Sequence, residues 1–397
     1  MYYRIHDVFN RPLASAPVDV MECTPPCGDR LLEVTGKTRR CLNLGSCNYL
    51  GFAASDPYCT PRVLAALAEY GWSMCSSAAE AGRTPRHVQL EQKGCLVLSD
   101  ALNHASIVAG VRGSGAKVKV FRHNDMKQLE ALLRSSVVVG QPRFNRSWRK
   151  IIIIVEGMYS MEGETVALPE IVALKKKFKA YLLLDEAHSI GALGATGRGA
   201  TEHWGVDTAD VDIMMGTFTK SFGASCGYIA SSRSMVDWLR RHGLACLHAT
   251  AMSPPNVEQV LTSFSLIQGR DGTTRGLGKI RSLQDNAAYF REQLQAMVCI
   301  VLGTGSSPVV PLMLYMPSNM SYFSRTCLQQ NIAVVVVGFP ATPLLGARVR
   351  FCISAAHSHE DLDFALRHIA SISDACLLRF NPSKTDLLEE KTHSIHL

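Results

Sequence analysis

The sequence predicts an α/β fold: a large, mostly parallel sheet followed by a smaller C-terminal α/β domain. Three observations carry this. The run Ile151 to Val155 (IIIIV) is continuous and β-branched, as a parallel strand buried on both faces requires. Such runs alternate with helix-spaced segments from Val118 to Ala230, and alternation of that kind builds a parallel sheet covered by helices. After Pro254-Pro255 the rhythm changes to a long helix-rich stretch and then short strands.

Met1 to about Arg40 is rich in Pro, Arg and Cys, has little periodicity and reads as an irregular arm. Cys41 to Ala53 is a short apolar strand with a turn around Asn48 and Gly51, and Pro61 to Tyr70 has helical spacing. Cys95 to Leu98 is a strand that ends in Ser99-Asp100, and a helix start follows at Asn103-His104-Ala105-Ser106. Strands are expected at 118–121, 151–155, 181–184, 212–215 and 227–230, with helices at 126–133 and 168–178, the latter closed by lysines that suit its dipole. Beyond Val257 come a helix-rich stretch to Met297, strands at 309–315, 333–337 and 349–353, and helices at 320–330 and 359–372. The expected divisions are an arm (1–60), a large domain (61–256), a small domain (257–380) and a polar tail (381–397).

Composition narrows the function classes. The chain has 397 residues, 47% hydrophobic and 19% charged, as a soluble, well-packed chain has. Its net charge of +7 is spread along the chain, which argues against nucleic acid and would suit an acidic substrate such as a CoA thioester. Its 13 cysteines are odd in number and lack metal-ligand spacing; Cys23 and Cys27 have no matching second pair, so free thiols are expected. No run approaches a membrane span, and no signal peptide opens the chain.

The chemistry gathers at strand ends. In Gly216-Thr217-Phe218-Thr219-Lys220-Ser221-Phe222-Gly223-Ala224, one lysine sits among small and hydroxyl residues after a buried strand. Small residues admit a ligand to the backbone, hydroxyls and amides bind an anion, and a desolvated lysine becomes a Schiff-base nucleophile. A surface lysine is the plainer alternative. Upstream, Asp185 ends a buried strand and His188 follows three residues on. Alone, Asp185 reads equally as a helix cap and His188 as a satisfied polar side chain. In order and spacing with Lys220, they match a pyridoxal 5′-phosphate site, which needs a carboxylate at the ring nitrogen and a lysine for the Schiff base.

Five stretches carry a resemblance: Val155-Glu156-Gly157-Met158-Tyr159-Ser160-Met161-Glu162-Gly163, Asp185 to Gly191, Gly216 to Ala224, Val334 to Pro343, and Ser354-Ala355-Ala356-His357. With Phe9-Asn10-Arg11-Pro12 and Ser46 to Phe52, they identify the chain as resembling the α-oxoamine synthase family, in particular the second long-chain-base subunits of its serine palmitoyltransferase branch. The resemblance implies the aspartate aminotransferase-like fold (fold type I) and the decarboxylating condensation of L-serine with palmitoyl-CoA, a long-chain acyl-CoA, to 3-ketosphinganine. It implies that Lys220 carries the Schiff base and removes the Cα proton, and that Asp185 pairs with the ring nitrogen. His188 would meet the ring oxygen and His104 the ring face. Thr217 and Ser221 would bind the phosphate, Thr250 would reach the partner's phosphate across a dimer interface, and Arg350 would receive the serine carboxylate. For Arg350 the alternative is a surface arginine on a strand. The implied setting is the cytosolic face of the endoplasmic reticulum membrane, held there through partners, in a heterodimer with the other long-chain-base subunit.

The same resemblance marks departures. Between Leu90-Glu91 and Lys93-Gly94 the family carries roughly thirty more residues, enough for a helix, a turn and a strand, where this chain has Gln92 alone. Ala78-Ala79 stand in place of Arg-Gln, Ala101 in place of Glu and Cys226 in place of Gly, and the family's upstream membrane-anchoring segment is absent. The alternatives are therefore a cofactor-poor regulatory partner of the same complex, or a relative that uses another amino acid.

Overall fold

The computed structural model describes Val8 and residues 19–23, 34–73, 94–142, 145–243 and 251–379. Within the stretch expected to be an irregular arm, β1 (Asp19–Cys23) and β2 (Val34–Arg40) pair antiparallel. That expectation failed because β2 carries no apolar alternation that the sequence could show: its described residues Lys37, Thr38 and Arg40 are exposed. β3 (Leu42–Asn43) is shorter than expected, and helix α1 (Cys59–Tyr70) follows.

The chain then alternates as predicted, through β4 (Cys95–Asp100), α2 (Ala105–Gly113), β5 (Lys117–Phe121), α3 (Met126–Val139), β6 (Lys150–Glu156), α4 (Leu168–Phe178), β7 (Tyr181–Asp185), α5 (Ala200–Trp204), β8 (Ile213–Thr217) and β9 (Gly227–Ser231). These strands form one sheet in the order β5-β4-β6-β7-β8-β9, parallel except for β9, which runs antiparallel to β8. The exception is forced. Residues 218–226 join β8 to β9, and a parallel crossover takes about a dozen residues or more. The lysine loop is therefore the tip of a hairpin. Leu98, Ile153, Val155, Leu182 and Leu184 are fully buried against Leu129 and Leu133 of α3 and Ile171 of α4.

Helices α6 (Arg233–His242), α7 (Pro254–Ile267) and α8 (Arg275–Ala296) come next. The single helix-rich stretch resolves into α7 and α8 because Gly269 and Gly272, at φ of 67° and 79°, turn the chain between them. β10 (Val309–Tyr315), α9 (Pro317–Gln329), β11 (Ile332–Ala333), β12 (Val335–Val337), β13 (Ala347–Cys352) and α10 (His359–Ala375) complete the order. The expected strand at 333–337 is two strands with different partners: β11 pairs parallel with β3, and β12 pairs antiparallel with β13. β13 lies central in the three-stranded sheet β10-β13-β12, whose core with the helices contains Phe290, Phe323, Phe351 and Ile369. The β3–β11 pairing brings the segment after β3, residues 44–53, against the end of β13.

Candidate functional site

Parallel strands place their carboxyl ends on one edge of a sheet, and ligands of open α/β sheets bind beyond that edge. Here the edge carries Glu156 on β6, Asp185 on β7 and Thr217 on β8. Glu156 and Asp185 are direct register partners, and Asp185 faces Met215 on β8. The loop beyond β8 is braced from beneath. Phe218 and Phe222, two residues either side of Lys220, are buried against Tyr228 of β9 and Phe264 of α7, with Phe222 and Phe264 ring centres 4.7 Å apart. Two glycines at positive φ permit the close approach. A Cβ on Gly191 would lie 2.5 Å from Ser221 Cβ, and one on Gly223 would lie 2.5 Å from Phe52 O. These contacts press the His188 turn and the 52–53 segment onto the lysine loop.

Burial pushes the Lys220 ammonium below its usual value, against the opposing pull of Cys47, Asp185 and Glu156 and in concert with Arg350. Each of those groups therefore acts electrostatically on one amine. Asp185 is raised by burial; the Ala187 amide, 2.8 Å from its Oδ1, and the charge of Lys220 oppose the rise. Glu156 is raised further, to about 8, by burial and then by the Asp185 charge, although the His104 amide donates to it. Both carboxylates are thus raised by burial, and Glu156, at about 8, keeps its proton at neutral pH. His188 is held well below its usual value by burial, then by Lys220 and Arg350, so its ring is neutral. Its Nδ1 lies 2.8 Å from the Tyr49 hydroxyl. His104 caps α2, with Nδ1 accepting from the Ser106 amide at 3.2 Å, and its ring is exposed beside the strand ends.

Arg350 lies on β13, facing Val335 and Pro311 across the ladder. It makes no salt bridge among the described residues, and its buried Nε has no hydrogen-bond partner. It is held above its usual value by Cys352 first and then by Cys47. Thr217 Oγ1 donates to Cys226 O at 3.1 Å and lies 2.8 Å from the exposed hydroxyl of Thr219. Ser221 departs from its expected role. It is buried, and its hydroxyl donates to Ile190 O at 2.7 Å, so its proton fastens two turns together and is not offered to an anion. Thr250 and Gln92 lie outside the described residues.

Sequence reasoning assigned no role to Glu156, Tyr49, Cys47 or Thr219. Glu156 had a signal: it ends an apolar strand as Asp185 does. Tyr49 and Cys47 had none in their own neighbourhood, because the β3–β11 pairing delivers them. Cys226, standing where the family has glycine, adopts φ 73°, the left-handed region that costs a residue with a Cβ roughly 1–2 kcal/mol.

Four features of the described residues fit a pyridoxal phosphate. Asp185 is a buried carboxylate whose Oδ2 takes no hydrogen bond among them, Lys220 is a desolvated primary amine, Thr219 offers an exposed hydroxyl, and the half-buried Arg350 has an orphaned Nε donor.

Comparison with known proteins agrees with this geometry. The profile of the family described as aminotransferase class I and II matches residues 74–369. Long chain base biosynthesis protein 2a of Arabidopsis thaliana is 48% identical over 430 residues, covering 100% of this chain and 88% of that protein. Serine palmitoyltransferase 2 of Dictyostelium discoideum is 47% identical, covering 97% of this chain and 85% of the relative. A solved structure described as serine palmitoyltransferase with a pyridoxal phosphate internal aldimine superposes with a TM-score of 0.78 at 25% identity, covering 94% of each chain. The Arabidopsis match spans 430 positions against 397 residues here, an excess of 33, which is the size of the segment that the resemblance finds missing beside Gln92.

Proposed function

Since the chain belongs to the aminotransferase class I and II family, and within it to the long-chain-base proteins of serine palmitoyltransferase, we infer that it is a pyridoxal phosphate-dependent acyltransferase of sphingolipid biosynthesis. It condenses L-serine with a long-chain acyl-CoA, releases carbon dioxide and forms a 3-keto long-chain base. The observation that carries this reading is one desolvated amine, Lys220, on the loop after β8, whose proton affinity is influenced by Asp185 and Glu156 at adjacent strand ends and by Arg350.

Lys220 would hold the cofactor covalently through its amine, Asp185 would pair with the ring nitrogen, His188 would meet the ring oxygen and His104 would cover the ring face. Thr217 and Thr219 would bind the phosphate, and Thr250 would reach it from a partner subunit. When bound, the cofactor supplies an electron sink for charge that develops at the amino-acid Cα. The chain's own residues do the rest. Arg350 receives the serine carboxylate, where a planar guanidinium suits bidentate pairing. Lys220 removes the Cα proton, because burial lowers its proton affinity towards the working pH. Glu156 stays protonated up to about 8 beside Asp185, which limits the negative charge at the strand ends.

The partner is the other long-chain-base subunit, and the setting is the cytosolic face of the endoplasmic reticulum. No helix among the described residues is long and apolar enough to cross a membrane, so attachment would run through partners. The proposed division places the large domain at 61–256 and the small one at 257–380. The test is an assay of the purified chain with that partner, L-serine, palmitoyl-CoA and cofactor. It should yield 3-ketosphinganine, and a chain that yields none at saturating cofactor refutes catalysis.

The 33-position excess favours a second reading, in which the fold is kept and cofactor affinity is weak. With Ser221 committed to Ile190 O, the described loop offers the phosphate few donors. Each hydrogen bond to a charged group contributes about 1.5–3 kcal/mol, so losing two costs several powers of ten in affinity.

A further inference from the structure

We propose that Cys47 and Cys352 form a reversible disulfide at the edge of the cofactor site, with Cys47 meeting the oxidant and Cys352 resolving it. The two sulfurs lie 3.8 Å apart although the residues are 305 positions apart in the chain. The backbone holds them in place from both sides. Cys352 N donates to Leu44 O at 2.7 Å, Ala355 N donates to Tyr49 O at 2.7 Å, and Ser354 Oγ donates to Asn48 O at 2.6 Å. A disulfide bond is about 2 Å long, so the sulfurs have less than 2 Å to travel, a distance within reach of side-chain rotation.

Their surroundings assign the two roles. Cys47 is partly exposed, and the Cys352 thiol, with the Arg350 and Lys220 cations, holds its pKa down at about 6 against its burial. A partly exposed thiolate is the sulfur an oxidant finds first. Cys352 is fully buried and held well above its usual value, so it stays protonated until an electrophilic sulfur is placed beside it.

With a hydroperoxide as oxidant, the Cys47 thiolate attacks one peroxide oxygen. An S–O bond forms, the O–O bond breaks, and the departing hydroxide takes a proton and leaves as water. The Cys352 sulfur then attacks the Cys47 sulfur. The S–S bond forms, the S–O bond breaks, and the Cys352 proton leaves with the hydroxyl as a second water. Two thiols lose two electrons, and one peroxide becomes two waters. A dithiol reductant reverses the bond by exchange.

The bond alters the site without touching a catalytic residue. It removes the negative charge that faces Lys220 and Arg350. It also removes the anionic sulfur that competes with His188 Nδ1 for the Tyr49 proton.

The test treats the full, freshly reduced chain with hydrogen peroxide, blocks the remaining thiols and maps non-reduced peptides by mass spectrometry. The expected product is a peptide pair joined through Cys47 and Cys352 that dithiothreitol separates. The oxidised chain should melt a few degrees higher than the reduced one, because the bond closes a long loop in the unfolded chain. In Cys352→Ala the Cys47 sulfenic acid should accumulate and be trapped by dimedone, and in Cys47→Ala the thiol of Cys352 should survive the same dose. The proposal is overturned by Cys47 paired with another cysteine, by Cys47 oxidised to sulfinic acid while Cys352 remains alkylatable, or by Cys352 oxidised in the Cys47→Ala chain. Should either variant fail to fold, the map of the unmodified chain decides alone.

Discussion

The two ends of the site are built differently. The end that handles protons stands on strand termini. Glu156 and Asp185 are locked in register on β6 and β7, and the loop that carries Lys220 is anchored by Phe218 and Phe222, which pack with Phe264. The end assigned to the phosphate rests on loop hydroxyls. Thr217 and Thr219 face each other, Ser221 is turned away, and Cys226 holds a conformation that suits glycine. The lesson is that the chemistry of the amine is fixed by the sheet, whereas the grip on the anion depends on the loop and on whatever lies beside it.

The largest expected effect falls at the rigid end. Lys220→Ala should lose turnover by about 10³-fold or more, since both the attached amine and the proton carrier vanish. Its thermal midpoint without cofactor should stay close to the parent's. A collapse of the fold in that variant would make Lys220 structural. Next, Asp185→Asn should lower kcat by about 10²–10³-fold, while subunit association, followed by sedimentation, hardly changes. Equal loss of both would move Asp185 to a structural role.

At the other end, inserting the family's segment after Glu91 should tighten pyridoxal phosphate binding by about 10²-fold or more, at roughly 1.4 kcal/mol per tenfold. An unchanged titration would show that the loop hydroxyls suffice.

A pH series probes a third region on the same edge. His123 lies 3.0 Å from Asp100 and 3.2 Å from Glu164, and these two carboxylates raise its pKa to about 9 despite burial. A raised histidine gives stability that is complete below its unfolded value, near 6.5, and that is lost as pH rises through about 9. Glu156 adds to the trend. It is protonated up to about 8 when folded, so charging it penalises the folded chain from its ordinary value of 4.5 upward to about 8. Stability measured by urea should fall between pH 7 and 9 by about 2–3 kcal/mol, and His123→Gln should flatten that fall. A slope that survives His123→Gln intact would assign it to other groups. The smallest effect is Cys226→Gly, which should raise stability by about 1 kcal/mol, with no change in turnover.

Legibility followed the same division. Strands β6 and β7 were readable because a doubly buried strand must be apolar throughout, and the position of Asp185 at a strand end followed from where that apolar run stops. The hairpin turn of the lysine loop was not read, since strand direction lies in the connection length between β8 and β9 rather than in the strands themselves. Ser221 was misread because a hydroxyl beside a reactive lysine looks the same in sequence whether it donates to a ligand or to Ile190 O. Tyr49 and Cys47 were invisible as site residues because they reach it through two-residue pairing between β3 and β11, far too short to leave a periodic signal. The left-handed turn at Cys226 could be suspected only from the glycine of relatives, not from the chain itself.

The central claim is that this sheet edge holds pyridoxal phosphate through Lys220. The most direct test saturates the chain with the cofactor, fixes any imine with borohydride and maps the modified peptide. The expected result is one labelled peptide, spanning Gly216 to Ala224 and modified at Lys220. Label on a different lysine, or no label at saturating cofactor, would contradict the account.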